Sequence, residues 1–344
     1  MNSSITAIFI AALSFSFYPL LNAVALDLVS PYLLAFLVQL ITAGLSFILL
    51  VLNLKSFKNA INIILLFWKL PWDLKIIPFL SGTGIFAGGL FFVLSLNLMT
   101  KTGATLIMEC WPLLAIIVAR ALLTQKKWDS FRLSDTLLII LSLSGLLCIT
   151  LSESGKSLLN LLNGQDKLFS DSDPSNLLGV LLAVLSAICF AWAGVSRSYF
   201  ANQLPEKFRV HFFGKKETLA ESNFTYMLTY FFGLPTAVLC YFLFDDANPK
   251  FSIETLPVLF LIGICLVLTS MYYSYALLIA TNANINLLWY IAPVMATIWL
   301  IIFGYSILTP LIIIGGGLII LANLLLITLN RKKKAIPNER TNIN

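Results

Sequence analysis

Apolar runs long enough to cross a lipid bilayer make up most of this 344-residue chain. A membrane-spanning helix needs about 20 predominantly apolar residues. Ten runs meet that requirement, and they cover residues 4–26, 30–54, 76–99, 102–124, 134–152, 176–198, 222–244, 255–280, 283–304 and 307–330. Because hydrocarbon offers the backbone no water, such segments must satisfy their N–H and C=O groups internally, as helices do. The sequence therefore predicts an all-α membrane protein with ten transmembrane helices.

The composition excludes several classes of protein. Hydrophobic residues make up 59% of the chain and charged residues 11%, whereas ordinary soluble domains carry about 25% charged residues. Ten spans leave no room for a separate soluble domain, so the net charge of +6 belongs to the loops and indicates no nucleic-acid partner. The chain contains no G-x-x-x-x-G-K-[ST] loop, which excludes an ATP-driven pump built on that motif.

The sequence also lacks the residues for a metal site or a catalytic cluster. All five cysteines lie inside apolar runs and form no C-x-x-C pair, so neither a disulfide framework nor a zinc site is indicated. His211 is the single histidine and lies in a loop, which leaves no histidine relay. We therefore expect no cofactor, no bound metal and no enzymatic activity.

The loop charges predict the orientation, because Lys and Arg concentrate in the cytoplasmic loops of membrane proteins. If both termini are cytoplasmic, 17 of the 22 basic residues lie on that side. They are Lys55, Lys58, Lys69, Lys75, Lys126, Lys127, Arg132, Arg197, Lys207, Arg209, Lys215, Lys216, Arg331, Lys332, Lys333, Lys334 and Arg340. We predict a multi-pass protein of the inner cell membrane with both termini in the cytoplasm.

The ten spans divide into two halves of five. Residues 153–175 are rich in Ser, Asp and Asn and form a predicted extracytoplasmic linker. The linker separates a first five-helix repeat, 1–152, from a second, 176–330. Residues 331–344 follow as a basic cytoplasmic tail. Because five is an odd number, the two repeats must have opposite orientations in the membrane.

A weak internal repeat supports this division. Residues 95–122 align with residues 276–303 without gaps, at an offset of 181, and six of the 28 positions are identical. The two stretches are the junctions of spans three with four and eight with nine, which correspond in a duplicated chain. The alignment matches Pro112 with Pro293, and both are predicted helix breaks. Paired interruptions in two inverted halves point to a central binding site.

Glu109 is the most unusual residue of the fourth span, since a carboxylate inside a bilayer is costly unless it faces a protein-lined cavity. Trp111 and Pro112 follow closely, and proline frees a backbone carbonyl about one turn earlier. Lys101 and Arg120 lie on the same helix, about 12 and 16 Å away along its axis, too far for direct pairing. We expect Glu109 to line a substrate or proton pathway; a structural ion pair is the alternative.

Aromatic rings can stack on planar or cationic ligands, and four are candidates for the wall of a central pocket. They are Trp111, Trp192, Trp289 and Tyr290. Ordinary helix packing is the alternative for each, and Trp111 is the strongest candidate because it adjoins both Glu109 and Pro112. Glycines near residues 82–89 and 315–317 favour close helix contact within the chain. We therefore expect a monomer or a weak dimer.

These features together resemble the drug/metabolite transporter superfamily, of the EamA type, over nearly the whole chain. The resemblance lies in ten spans, a mid-chain linker and a proline in spans four and nine. Within the superfamily, Trp111-Pro112 with Gln125-Lys126 and Trp128 is similar to the bacterial aromatic amino-acid exporter group. That group carries Trp-Pro in span four, followed by Gly-Gln-Lys near its inner end. Pro174 and the stretch 190–193 also fit the group.

The resemblance implies a secondary transporter, an exporter or facilitator, of amino acids or related small organic metabolites by alternating access. Where the exporter group has an aromatic residue, this chain has Glu109, which favours amine recognition or proton transport. A proton-coupled exporter of cationic amphiphilic drugs is therefore the alternative. A membrane-embedded enzyme or a channel is the alternative of another class. The expected partners are a small-molecule substrate, the lipid bilayer and, in the coupled alternative, protons.

The loop charges predict a topology that can be measured. A reporter fused after Asn344 should be active in the cytoplasm, and Ser170→Cys should react with a membrane-impermeant thiol reagent added outside. The matched control, Lys58→Cys in a predicted cytoplasmic loop, should react only after the membrane is permeabilised. An external C-terminal reporter, or an unreactive Ser170→Cys, would contradict this orientation.

Overall fold

Helices account for the regular secondary structure in the described part of the chain, apart from a single β-bridge between Val29 and Phe251. The computed structural model describes residues 3–111, 114–115, 118, 133–153, 174–213, 219–245, 251–279, 289, 291–305 and 307–334. The prediction of an all-α protein is confirmed for these residues.

Thirteen helices lie in the described ranges. They are α1 (Ser3–Ser16), α2 (Tyr18–Leu26), α3 (Pro31–Leu54), α4 (Phe57–Phe67), α5 (Trp72–Leu98), α6 (Lys101–Met108), α7 (Leu133–Glu153), α8 (Pro174–Gln203), α9 (Glu206–Phe213), α10 (Leu219–Phe244), α11 (Thr255–Ile279), α12 (Ile291–Ile302) and α13 (Pro310–Lys334).

The helix ends follow local sequence signals. The first span is interrupted at Phe17, where α1 ends and α2 begins with Pro19 in its first turn; proline cannot donate the helical hydrogen bond. α3 ends at Lys55, which adopts the left-handed conformation with φ 51°. α6 begins after Thr100, whose hydroxyl accepts a hydrogen bond from the Gly103 N–H at 3.2 Å, as N-cap residues do.

Six helical segments of the described residues are long and apolar enough to cross a membrane. They are Ser4–Leu26, Pro31–Leu54, Trp72–Leu98, Ser175–Gln203, Leu219–Phe244 and Thr255–Ala276. Large apolar side chains point away from the protein on these helices: Phe242 is 77% exposed and Leu239 58% exposed. Outward-facing apolar surface of this extent fits contact with lipid, so the chain has the character of a membrane-spanning protein.

Most predicted spans coincide with observed helices. For α3, α5, α7, α8, α10, α11 and α13 the predicted and observed ends agree to within five residues. The later part of predicted span four and the beginning of predicted span nine lie outside the described residues. The linker 153–175 and the tail 331–344 are described only at their edges. The ten-helix count and the division into repeats therefore stay predictions at this point.

Two helices, α4 and α9, were not predicted, since the sequence analysis treated their segments as loops. Both pack into one apolar cluster at one end of the bundle, together with the ends of α3, α8 and α10. Phe67 of α4 is fully buried in this cluster, and Phe200, Phe208 and Phe224 join it. We call this end of the bundle the basal end. The opposite end holds the connections from α2 to α3 and from α12 to α13.

Glycines bring helix backbones into direct contact. The most extensive helix contact joins α5 to α8, and other large contacts join α3 to α10, α1 to α11, α5 to α10 and α7 to α13. A Cβ atom added to Gly82 of α5 would lie 2.6 Å from the backbone nitrogen of Gly233 in α10. Gly145 and Gly315 meet in the same way where α7 crosses α13. The prediction that glycines serve close packing within the chain is confirmed for Gly82 and Gly315; Gly145 and Gly233 were not part of it.

A Gly82→Ala substitution should lower the stability of the protein. The added methyl group would lie 2.5 Å from the Thr229 carbonyl oxygen, and overpacking of this kind costs about 1–3 kcal/mol. Gly44 is the matched control, because a Cβ there meets no atom within 4 Å. Gly44→Ala should leave stability unchanged or raise it by about 0.5–1 kcal/mol, since Ala favours helices. Thermal unfolding of the purified protein in detergent measures both, and equal midpoints would contradict the proposed contact.

Candidate functional site

A cavity of about 350 Å³ lies among helices from both halves of the chain. We call it the central cavity. Its described lining residues are Phe15, Ile85, Met108, Trp111, Ala115, Phe190, Ala193, Gly194, Val195, Arg197, Ser198, Tyr226, Thr229, Tyr230, Leu266, Thr269, Ser270, Tyr273 and Trp289. A space of this size, mostly apolar with a few polar groups, is typical of small-molecule sites.

The central cavity lies toward the basal end. Arg197 and Ser198 belong to the last third of α8, which ends at the basal end. Tyr226 and Tyr230 belong to the first half of α10, which begins there. Tyr273 lies in the last third of α11. The cavity walls therefore come from the basal halves of these helices.

An aromatic cluster forms one wall of the cavity. The ring of Trp289 lies 5.2 Å from that of Phe15 and 4.7 Å from that of Tyr273, measured between centroids. Trp111 meets both Trp289 and Tyr273 edge to face, at 6.2 and 6.4 Å. These separations lie in the favourable range for aromatic pairs. The structure thus brings together Trp111 and Trp289, two of the four predicted aromatic site residues.

The helix that precedes Trp111 ends three residues before it. α6 stops at Met108, and the Cys110 N–H donates to the Ile107 carbonyl three residues back, at 3.0 Å, instead of continuing the α-helical pattern. Residue 112 is proline and so has no N–H for the Met108 carbonyl. Pro112 itself, the predicted helix break, lies outside the described residues.

Glu109 lies next to the cavity and is not among its lining residues. Its side chain is 3% exposed, and neither carboxyl oxygen has a hydrogen-bond partner among the described residues. The indole N–H of Trp289 faces the Glu109 carboxyl, but the two groups do not reach hydrogen-bond geometry. Glu109 therefore points into the protein and is adjacent to a residue of the cavity wall.

Three other predicted site residues have different positions. Trp192 is not in the cavity wall; a Cβ atom on Gly84 would lie 2.9 Å from its ring, which places Trp192 in the contact between α5 and α8. Pro293 is buried in the first turn of α12, where the missing N–H of proline is tolerated. Tyr290 lies outside the described residues.

The sequence analysis missed Arg197 as a cavity residue and counted it among the loop charges. Its guanidinium carbon lies 3.8 Å above the ring centroid of Tyr226. Its Nη1 atom donates a hydrogen bond to the Ser274 hydroxyl at 2.8 Å. The signal in the sequence was helical spacing: positions 190, 194 and 197 fall on one face of α8.

Hydrogen bonds tie the helices together at the end opposite the basal end. The Tyr305 hydroxyl donates to the Asp27 carboxylate at 2.9 Å, and the Ser30 hydroxyl donates to the Asp245 carboxylate at 2.9 Å. Between this end and the cavity lies the main buried core of the bundle, which includes Phe92 and Leu96. The bundle is therefore packed closed on this side of the cavity.

A narrow space of about 30 Å³ continues from the cavity into that core. It shares Ile85, Phe190, Tyr230 and Leu266 with the cavity wall. Its other lining residues include two buried amides, those of Asn22 and Gln39. Gln39 donates to the Tyr230 carbonyl at 2.6 Å, whereas the Asn22 carbonyl oxygen has no partner among the described residues. Polar groups thus line the space between the cavity and the closed end.

Among the described residues, no three His, Cys, Asp or Glu side chains come together as they would around a metal ion. The described lining of the cavity offers aromatic surface, hydroxyl groups and one guanidinium.

Comparison with known proteins identifies a fold and no family. No family model and no curated protein matches the chain. Sixteen chains of solved structures match it, among them a structure known only as "Crystal structure of protein". That structure shares 18% sequence identity over 96% of this chain and 99% of its own, with a TM-score of 0.58. At this identity the likeness shows a shared fold alone.

The environment of Glu109 makes a prediction about stability. Because its carboxyl has no described partner, Glu109→Gln removes no hydrogen bond and should leave the unfolding midpoint unchanged or higher. Glu221 is the matched control: it is equally buried and pairs with Arg209 at 2.7 Å. Glu221→Gln should lower stability by about 1 kcal/mol, a modest loss because Arg209 is partly solvated. A clear destabilisation by Glu109→Gln in the same thermal assay would reveal a partner of the Glu109 carboxylate and contradict this assignment.

Proposed function

We propose that this protein is a secondary transporter that moves amino acids or related small organic solutes across the membrane by alternating access. The observation that carries the proposal is the central cavity: it lies among helices of both halves, toward the basal end, and the main buried core lies between it and the opposite end. A transporter binds its solute near the middle of the membrane and exposes the site to one side at a time. Small organic solutes fit a cavity of about 350 Å³.

The proposed architecture is two inverted five-helix repeats, and the pattern of helix contacts supports it. In the proposed repeats α1 corresponds to α8, α3 to α10, α5 to α11 and α7 to α13. The contact of α1 with α11 is then equivalent to that of α8 with α5, and the contact of α5 with α10 is equivalent to that of α11 with α3; all four are observed. The contacts of α3 with α10 and of α7 with α13 join corresponding helices and are equivalent to themselves. A duplicated chain with a two-fold axis between its halves accounts for this pattern.

Residue positions repeat at the offset of 181 found in the sequence. Ile85 and Leu266, which are 181 residues apart, both line the central cavity, as do Met108 and Trp289. Gly82 contacts α10, and Gly263, again 181 residues later, contacts α3. α3 and α10 occupy corresponding places in the two halves. The two repeats would therefore contribute equivalent positions to one shared site.

The orientation follows from the charges at the basal end. The connections there carry Lys55, Lys58, Lys69 and Lys75, and positive charge of this kind favours the cytoplasmic side. With that orientation the cavity faces the cytoplasm, and Asp27 with Tyr305 seals the outer side. The complementary state of the cycle would break the contacts of the outer side and close the basal end.

The environment of Glu109 supports a second part of the proposal: transport of the solute is coupled to transport of protons. A buried carboxyl group with no described partner, next to a residue of the cavity wall, is a suitable proton carrier. If Glu109 carries the coupled proton, Glu109→Gln should abolish the pH dependence of transport while the protein stays folded. Unchanged pH dependence in that variant would exclude this role and leave the transport proposal standing.

Transport can be tested with purified protein in proteoliposomes. We expect saturable uptake of at least one radiolabelled amino acid, and Trp111→Ala should weaken it by about tenfold, since the variant removes an aromatic wall of the site. Trp192→Ala is the matched control, because it removes a tryptophan between helices and leaves the cavity wall intact. It should lower thermal stability without changing the KM of the folded fraction. Absence of saturable uptake for amino acids, amines and nucleosides alike would contradict the proposal.

A further inference from the structure

We propose that the central cavity selects organic anions, and that Arg197 binds the carboxylate of an aromatic or similarly planar solute. This inference rests on the proposed transport function and adds a substrate class to it. The juxtaposition that carries it is a guanidinium in the wall of a cavity whose other walls are aromatic rings and hydroxyl groups.

The described lining residues give the cavity a positive charge. Arg197 is the single charged side chain among the described lining residues. It forms no ion pair with any described residue; its partners are the neutral Tyr226 ring and the Ser274 hydroxyl. Glu109, a nearby acid among the described residues, lies beside the indole of Trp289 and outside the lining. An anion entering this space therefore meets a positive charge that no described carboxylate neutralises.

The guanidinium is held in place and still has donors to offer. Stacking on Tyr226 at 3.8 Å fixes the plane of the Arg197 head group, as arginines often stack on aromatic faces. The hydrogen bond to Ser274 engages Nη1, while a guanidinium carries five N–H donors. The remaining donors can form the paired hydrogen bonds by which arginine recognises a carboxylate.

The rest of the solute would contact the other lining residues. Trp111, Tyr273 and Trp289 line the cavity and pack against one another, and Tyr230 with Ser270 adds hydroxyl groups that lie 3.3 Å apart. Apolar and aromatic surface of this kind favours a ring, and the charge at Arg197 orients it. A cationic amphiphile would place its charge near the guanidinium, which is repulsive in a space of low dielectric constant. The cavity thus disfavours the cationic-drug alternative raised by the sequence.

Three probes of matched shape test the sign of the charge: phenylacetate, neutral phenylacetamide and cationic phenethylamine. Binding to the purified full-length protein is measured by isothermal titration and by the shift of the unfolding midpoint. We expect phenylacetate to bind most tightly, and Arg197→Gln to weaken its binding by at least about tenfold, as expected for loss of a charge-assisted hydrogen bond. Binding of phenylacetamide should change little in this variant.

Two further variants separate the role of Arg197 from net charge and from folding. Arg197→Lys keeps the positive charge and loses the planar guanidinium with its paired donors, so it should bind phenylacetate more tightly than Arg197→Gln and less tightly than the unchanged protein. Lys58→Gln removes one positive charge at an exposed position of α4 and should leave binding unchanged. The unfolding midpoint without a probe reports whether each variant is folded.

The outcomes distinguish this inference from the transport proposal. Equal or tighter binding of phenethylamine, unchanged phenylacetate binding in folded Arg197→Gln, or no binding of any probe would overturn anion selection. None of these results decides transport, which is measured independently by saturable uptake of amino acids in proteoliposomes. If the protein takes up none of the tested solutes in proteoliposomes but still binds phenylacetate through Arg197, the transport proposal is overturned and the anion site stands.

Discussion

Close approach of helix backbones is the constraint on which the rest of this structure depends. Between helices surrounded by lipid, association relies on packing and hydrogen bonds, because lipid tails are as apolar as the side chains they replace. Gly82 against Gly233 and Gly145 against Gly315 supply that packing with backbone contacts. The crossing of α5 with α10 at Gly82 lies beside the central cavity, whose wall includes Ile85 of α5 and Thr229 of α10.

The cavity wall depends equally on a helix that stops. α6 ends at Met108, and the two residues that follow lie in a turn. Trp111 lines the cavity, while Glu109 lies buried beside Trp289. Two residues only two positions apart thus occupy different environments: an aromatic ring in the cavity wall and a carboxyl group enclosed by protein.

Sequence patterns predicted the fold more completely than the site. Apolar runs predicted helix ends to within five residues for α3 and six other helices, because the length and polarity of a span are local properties. Helix α4 was missed since short amphipathic segments between spans look like loops. Trp111 and Trp289, two of the four aromatic candidates, both line the cavity; Trp111 stood out in the sequence because it adjoins Glu109 and Pro112. Trp192 and Arg197 were assigned to the wrong surroundings, because the direction in which a side chain points depends on helix rotation and on which neighbours pack against it.

The hydrogen bonds at the closed end have a consequence for the equilibrium between conformations. Tyr305 with Asp27 and Ser30 with Asp245 join connections that lie at the surface of the bundle. Hydrogen bonds of this kind contribute about 0.5–1.5 kcal/mol each, so in the proposed cycle the two together would change the ratio of closed to open molecules by roughly fivefold to 150-fold. In the proposed transport cycle, contacts of this strength would favour one conformation and leave the other thermally accessible. Modest differences in solute affinity between the two proposed states would then suffice to exchange their populations.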